Sequence, residues 1–157
     1  MVEQITHRLT YSKYDSIESL SDEDQKLVRK AQEAMDTAYA PYSNFQVGCA
    51  ILLEDNEVVI GSNQENSAYP SGLCAERVAL FHIGTTNKPI KTIAVATRKE
   101  INGRPIAPCG SCRQVMVEFA NRQEGRIELI MYSGSSVLKF DNVLNLMPLS
   151  FGPDDLK

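Results

Sequence analysis

The sequence predicts one α/β domain, a three-layer α/β/α sandwich built on a mixed sheet of about five strands, and three observations carry that prediction. Helix-like and strand-like segments alternate between Cys74 and Tyr132, the pattern of helices packed on the faces of a sheet. A long amphipathic helix stands ahead of them. Only "SGSS" separates the last two strands, near Tyr132 and Val137, too little for the dozen-residue crossover that parallel neighbours need. Those two strands should therefore close as an antiparallel hairpin.

Residues 1–20 mix polar, β-branched and aromatic types without clear periodicity, and are read as an arm or short strand ahead of a domain at 21–157. Ser21, followed by Asp22, Glu23 and Asp24, is a helix start: a hydroxyl caps free N–H groups and acids suit the positive helix end. Leu27, Val28, Ala31, Ala34, Met35 and Ala38 recur at three- and four-residue spacing, marking a buried face that runs to about Tyr39, with Pro41 fixing the stop. Strands follow at 45–54 and 57–62, joined at Asp55 and Asn56 as a tight hairpin. A helix at 74–83, a strand at 91–98, a helix at 110–121 and a strand at 126–132 complete the alternation.

The chain has 157 residues, 43% hydrophobic and 23% charged, enough for one substantial core. A net charge of -4 argues against a partner such as long DNA or RNA. "MVEQITHRLT" lacks a signal-peptide pattern and no apolar run reaches a membrane span, so a cytoplasmic protein is expected. In that reducing compartment the four cysteines, Cys49, Cys74, Cys109 and Cys112, point to metal binding or catalysis rather than disulfides.

"APCGSC" sets Cys109 and Cys112 as a C-x-x-C pair at one helix start, and "LCAERVAL" sets Cys74 at another. Free N–H groups there favour thiolates, and two helix starts can converge on one ion. If these three cysteines hold Zn²⁺, one coordination position stays open, the pattern of a catalytic zinc. Glu76, two residues after Cys74, then stands where a general acid/base is needed. A thioredoxin-like pair at Cys109 and Cys112, or a structural zinc with Cys49 as fourth ligand, are the alternatives; a redox pair leaves Cys74 and Glu76 unexplained. Cys49 reads as a buried small hydrophobe on its strand, and His7 and His82 are left outside the site.

"CAE" followed by "PCGSC" resembles the zinc deaminase signature, with cysteine in place of its histidine. The likeness extends further. "YAPYSNFQVGCA", "GSNQENSAYPSGLCAER" and "LMPLSFGPDDL" resemble the corresponding stretches of the small free-nucleoside cytidine deaminases, over residues 22–156. Cys49 and Ala107 depart from that pattern, but neither departure changes a ligand residue, and only local packing is affected.

The resemblance implies hydrolytic deamination of cytidine and deoxycytidine, with one Zn²⁺ per subunit on Cys74, Cys109 and Cys112 and Glu76 as proton shuttle. It implies Phe45 against the pyrimidine, Asn63 and Glu65 on the sugar hydroxyls, and Ala75 as a further substrate contact. Three thiolates leave the zinc site at a net charge of -1, and Arg77 is implied as the donor to the cysteine sulfurs that offsets it. The resemblance further implies a homotetramer in which Phe151 reaches a neighbouring subunit's site. A deaminase of a modified nucleoside such as a blasticidin-type antibiotic, a polynucleotide editor, or a non-catalytic zinc-binding assembly module are the competing functions. The acidic chain opposes the editor, and retention of Glu76 opposes the module.

Overall fold

A computed structural model describes residues 1–84, 86, 88–134 and 136–157. Helix α1 spans Asp22–Ala34, and Ser21 caps it by accepting from the Asp24 N–H at 3.2 Å. Strands β2 (Val47–Leu53) and β3 (Val58–Ser62) form the hairpin expected at Asp55 and Asn56, with Asn56 at φ 68 and the Asp55 carboxylate accepting from the Glu57 N–H. Helix α2 (Ala75–Ile83), strand β4 (Ile90–Thr97), helix α3 (Gly110–Asn121) and strand β7 (Glu128–Ser133) follow, and β7 turns into β8 (Ser136–Phe140) as an antiparallel hairpin. Between β4 and α3 lies a two-residue pair, β5 (Glu100–Ile101) and β6 (Arg104–Pro105).

The main sheet runs β1-β8-β7-β4-β2-β3, with β1 at Ser12–Tyr14. It is mixed: β4 and β7 are parallel, with α3 as the crossover between them, and the other pairings are antiparallel. Six strands replace the five expected, because Ser12–Tyr14 pairs with β8 and extends the sheet by an edge. Three residues have no room for a periodicity of their own, and β8 decides their conformation. Ile17 and Leu20 follow them into the core.

Alternation along the central strands sorts the core into two layers. Cys49, Ile51 and Leu53 of β2, with Ile93 and Val95 of β4 and Leu129 and Met131 of β7, pack under α2 and α3. Ala50 and Leu52, with Ala94, Ala96 and Ile130, pack under α1 through Leu27, Val28 and Ala31 and under Met35 just beyond its end. The expected three-layer α/β/α sandwich is the observed one. Lys139 crosses the α1 side, pairing with Asp24 at 2.8 Å and Glu128 at 3.0 Å.

Helix α1 ends at Ala34 rather than near Tyr39. Its last turn tightens into a 3₁₀ turn at Met35–Thr37, where the Thr37 hydroxyl donates to the Ala34 carbonyl and bonds the Ser62 hydroxyl at 2.8 Å. A threonine that finds partners in the local backbone and on β3 competes with helix propagation. Ala38 is accordingly half-buried and belongs to an extended segment. Among the described residues no helix is long and apolar enough to cross a membrane.

Two glycines set the layer spacing that brings the helix starts together. A Cβ on Gly48 would lie 1.9 Å from the Ala31 carbonyl oxygen of α1, and one on Gly61 would lie 2.7 Å from the Ala79 nitrogen of α2. Both helices press directly on strand backbone. The starts of α2 and α3 then stand side by side at the end of the sheet where β4 finishes.

Candidate active site

Cys74 is the cap residue of α2 and Cys109 that of α3, and neither helix start has a side-chain cap. The amide groups a cap would engage are left facing a pair of thiols, which favours the charged sulfur. Cys112, one turn into α3, completes the group. The three sulfurs lie within 4.8 Å of one another, with Cys74 to Cys109 at 3.8 Å and Cys109 to Cys112 at 3.5 Å. Thiolates at about 2.3 Å from a tetrahedral zinc stand about 3.8 Å apart, so this spacing fits the ion without rearrangement. Cys49 is fully buried on β2 and outside the group. Burial, then the nearby Glu76 carboxyl, raise its thiol well above the usual range, as suits a core residue. Neither His7 nor His82 joins the three cysteines.

The electrostatics of the group are those of a ligand set. A hydrogen bond from Cys112 lowers the Cys74 thiol to about 5, against the opposing effect of burial and with help from Arg77. Cys112, as the donor to Cys74 and a buried group, is raised. Burial works against the Arg77 charge, yet the neighbouring Cys74 more than offsets it and the guanidinium is held firmly protonated. Arg77 reaches the Cys74 sulfur at 3.9 Å and the Gly72 carbonyl at 3.4 Å. Its Nε–H is buried without an acceptor among the described residues. A cluster carrying three thiolates would supply acceptors to this side chain that neutral thiols supply poorly.

Glu76 sits in the first turn of α2, 4% exposed. Burial raises its carboxyl to about 7, with the Cys74 thiolate adding to the rise. A carboxyl poised there can both take and give a proton near neutrality.

Both helix starts open on a cleft of about 410 Å³, in the range of small-molecule sites. Cys74, Cys109 and Glu76 form its floor; Val47, Val95 and Ile106 supply apolar wall. Phe45, Asn63 and Glu65 line it too, so three of the residues expected to hold a substrate share the cleft with the cysteines. Phe45 is half-buried, with the Lys99 ammonium 5.9 Å over its ring.

Asn63 has a second task that the sequence did not suggest. Its carboxamide accepts from the Val47 N–H at 2.8 Å and donates to the Phe45 carbonyl at 2.9 Å, clamping the segment that carries Phe45. One amide hydrogen and one lone pair remain for a ligand. The Glu65 carboxylate accepts from the Tyr42 N–H at 2.9 Å, from the Ser43 N–H at 3.2 Å and from the Ser43 hydroxyl. The Ser43 hydroxyl is the main reason its carboxyl lies below the usual range.

Two expected contacts are not brought to this cleft. Ala75 is fully buried at the start of α2 and does not line it. Phe151 is 58% exposed, its carbonyl held by the Gln114 side chain of α3 at 2.8 Å, and it too is absent from the cleft wall. Ser43, Tyr69 and Thr97 line the cleft without having been expected. Of these, Ser43 had a signal in the sequence: it lies in "PYSNF", two residues before Phe45.

Comparison with known proteins places this geometry among related chains. The family profile "Cytidine and deoxycytidylate deaminase zinc-binding region" matches residues 21–124. The chain is similar to the cytidine deaminase of Sporosarcina psychrophila, 38% identical over 133 residues that cover 84% of this chain and 93% of the relative. It is similar to the cytidine deaminase of Mycobacterium tuberculosis, 36% identical over 138 residues, 87% of this chain and 96% of the relative. Among solved structures, the crystal structure of cytidine deaminase from Burkholderia pseudomallei matches with a TM-score of 0.69 and 38% identity, covering 80% of this chain and 97% of that one.

Proposed function

This chain belongs to the cytidine and deoxycytidylate deaminase family, and from that membership we propose how its cleft divides the work of converting cytidine and water to uridine and ammonia. The observation that carries the reading is the meeting, in one cleft, of three clustered thiols and one buried carboxyl raised to about 7. The protein is a zinc-dependent hydrolase of pyrimidine salvage. Cys74, Cys109 and Cys112 hold the ion, and Arg77 donates to the cluster and offsets its negative charge. The chemistry the metal supplies when bound is activation of water as a nucleophile at neutral pH.

Glu76 takes a proton from the attacking water and delivers it to pyrimidine N3, which makes C4 electrophilic. It then takes the remaining proton from the new C4 hydroxyl and passes it to the departing amine, so that ammonia leaves and the carbonyl of uridine forms. Phe45 gives the base a flat apolar face, while Glu65 and the unused amide valences of Asn63 take the sugar hydroxyls. Deoxycytidine is read as a second substrate on the same contacts. Residues 21–157 act as the catalytic domain and 1–20 as its arm, in a cytoplasmic homotetramer.

Uridine formation by zinc-loaded protein tests the reaction, and Glu76→Gln tests the assignment. The variant keeps its neutral-pH geometry and should retain zinc, while turnover falls by about 10³-fold, within the range for a lost general acid/base. Bound zinc in wild type without uridine would overturn the substrate; undiminished turnover in the variant would overturn the role of Glu76.

A further inference from the structure

A second cavity, of about 560 Å³, lies under the N-terminal arm on the far side of the loop that carries Cys109. Arg8 comes to it from the arm, Arg104 from β6 and Arg113 from α3, with His7 beside them. No carboxylate stands among its lining residues. In a chain of net charge -4, that is a local reversal of sign. Arg29, Arg98 and Arg122 elsewhere on the molecule each pair with a carboxylate. Among the described residues, Arg8, Arg104 and Arg113 make no ion pair.

Arg113 is already fixed in place. Its Nε donates to the Pro108 carbonyl at 2.9 Å and its Nη1 to the Leu146 carbonyl at 3.3 Å, which leaves the other donors of the guanidinium for a ligand. Apart from the Asn145 carboxamide, the remaining wall is made of apolar and aromatic side chains, including Tyr11 and Phe140, whose rings pack with centroids 5.1 Å apart. Three guanidinium forks without a counter-charge, opening on an apolar wall, match a molecule with a phosphate at one end and carbon at the other. We propose that this cavity is a binding site for a phosphate-bearing small molecule, its phosphate held by Arg8, Arg104 and Arg113. The cavity shares Ala107 with the catalytic cleft, and Arg113 holds the carbonyl next to Cys109, so the occupant bears on the loop between the two.

The test is thermal unfolding of the zinc-loaded full chain, titrated separately with inorganic phosphate and glycerol 3-phosphate, with sodium chloride at matched ionic strength as reference. Both phosphates should raise the unfolding midpoint saturably, beyond chloride. The double variant Arg8→Ala, Arg104→Ala should lose that response, with affinity falling about tenfold for each arginine removed. Both replaced side chains are exposed and unpaired, so zinc content and cytidine turnover without phosphate should match wild type. Arg104→Lys, which keeps the charge and loses the fork, should bind between the two. Tighter saturation by glycerol 3-phosphate assigns an organic ester as the occupant; equal saturation assigns recognition of the phosphate group alone, and either supports the site. A chloride response as large as that of phosphate, or a full phosphate response in the double variant, overturns it.

Discussion

At the scale of single residues, the cleft holds a carboxyl where burial makes charge expensive. Glu76 has an ordinary carboxyl value of 4.5 in an unfolded chain and about 7 in the folded one, burial being the main cause. Between those values the native state holds its proton more tightly than the unfolded state does. The contribution to stability is therefore complete below pH 4.5 and is lost as pH rises through about 7. At 1.36 kcal/mol for each pH unit, the loss is on the order of 3 kcal/mol. Zinc-stripped wild type should accordingly lose resistance to urea relative to zinc-stripped Glu76→Gln as pH is raised across this interval, because the lowered Cys74 thiol adds its own opposite rise to both proteins and only the difference between them reads Glu76. A wild-type protein that gained stability relative to the variant over the same interval would contradict the burial argument. The same residue was legible in the sequence because C-A-E with P-C-x-x-C demands a proton shuttle beside the ligands. The clamp made by Asn63 was not, since nothing in a lone asparagine says that its amide will face two backbone groups of another segment.

At the scale of elements, the position of the metal ligands depends on how closely α2 lies on β3. Gly61→Ala would place a Cβ 2.7 Å from the Ala79 nitrogen and 2.8 Å from the Ala75 carbonyl oxygen, both helix backbone that cannot swing aside. The helix must lift, and Cys74 and Glu76 lift with it. The substitution should cost about 1–3 kcal/mol of stability and weaken zinc retention against a competing chelator. Gly48→Ala collides instead with α1 on the opposite face, at 1.9 Å from the Ala31 carbonyl oxygen, and should destabilise at least as much while disturbing zinc less. Equal zinc loss in the two variants would mean that the α2 contact does not set the site. The helix starting at Cys109 was readable to its ends, because C-x-x-C at its start and an apolar stripe through Phe119 leave one register. The β5–β6 hairpin was missed although "ING" marks it, with Asn102 at φ 54 and Gly103 at φ 70 forming the turn. Two paired residues on each side are too few for a strand pattern, and the turn dipeptide was the signal to use.

At the scale of the whole molecule, the sandwich, the mixed sheet and the closing hairpin followed from alternation and one short connection, while the sixth strand depends on a partner more than a hundred residues away. Phe151 raises the same issue one level up, because its surroundings in a single chain do not account for it. It is 58% exposed, anchored through its carbonyl by Gln114, and lies off its own chain's cleft. Leu149 and Leu156 beside it are exposed as well, at 86% and 76%. An apolar tail of this kind is explained if a neighbouring subunit receives it and the ring closes that subunit's cleft over the base. Phe151→Ala should then raise the KM for cytidine more than it lowers kcat, by about tenfold or more for a lost aromatic contact to the base. The decisive readout is complementation. Glu76→Gln subunits, which lack the proton shuttle, and Phe151→Ala subunits, which lack the ring, are each impaired alone. When they are unfolded, mixed and refolded together, some sites combine an intact Glu76 with a partner's intact Phe151, and the KM of that fraction should return to the wild-type value. If the ring acts within its own chain, every site with an intact Glu76 still lacks Phe151, and the mixture keeps the raised KM of the Phe151→Ala protein.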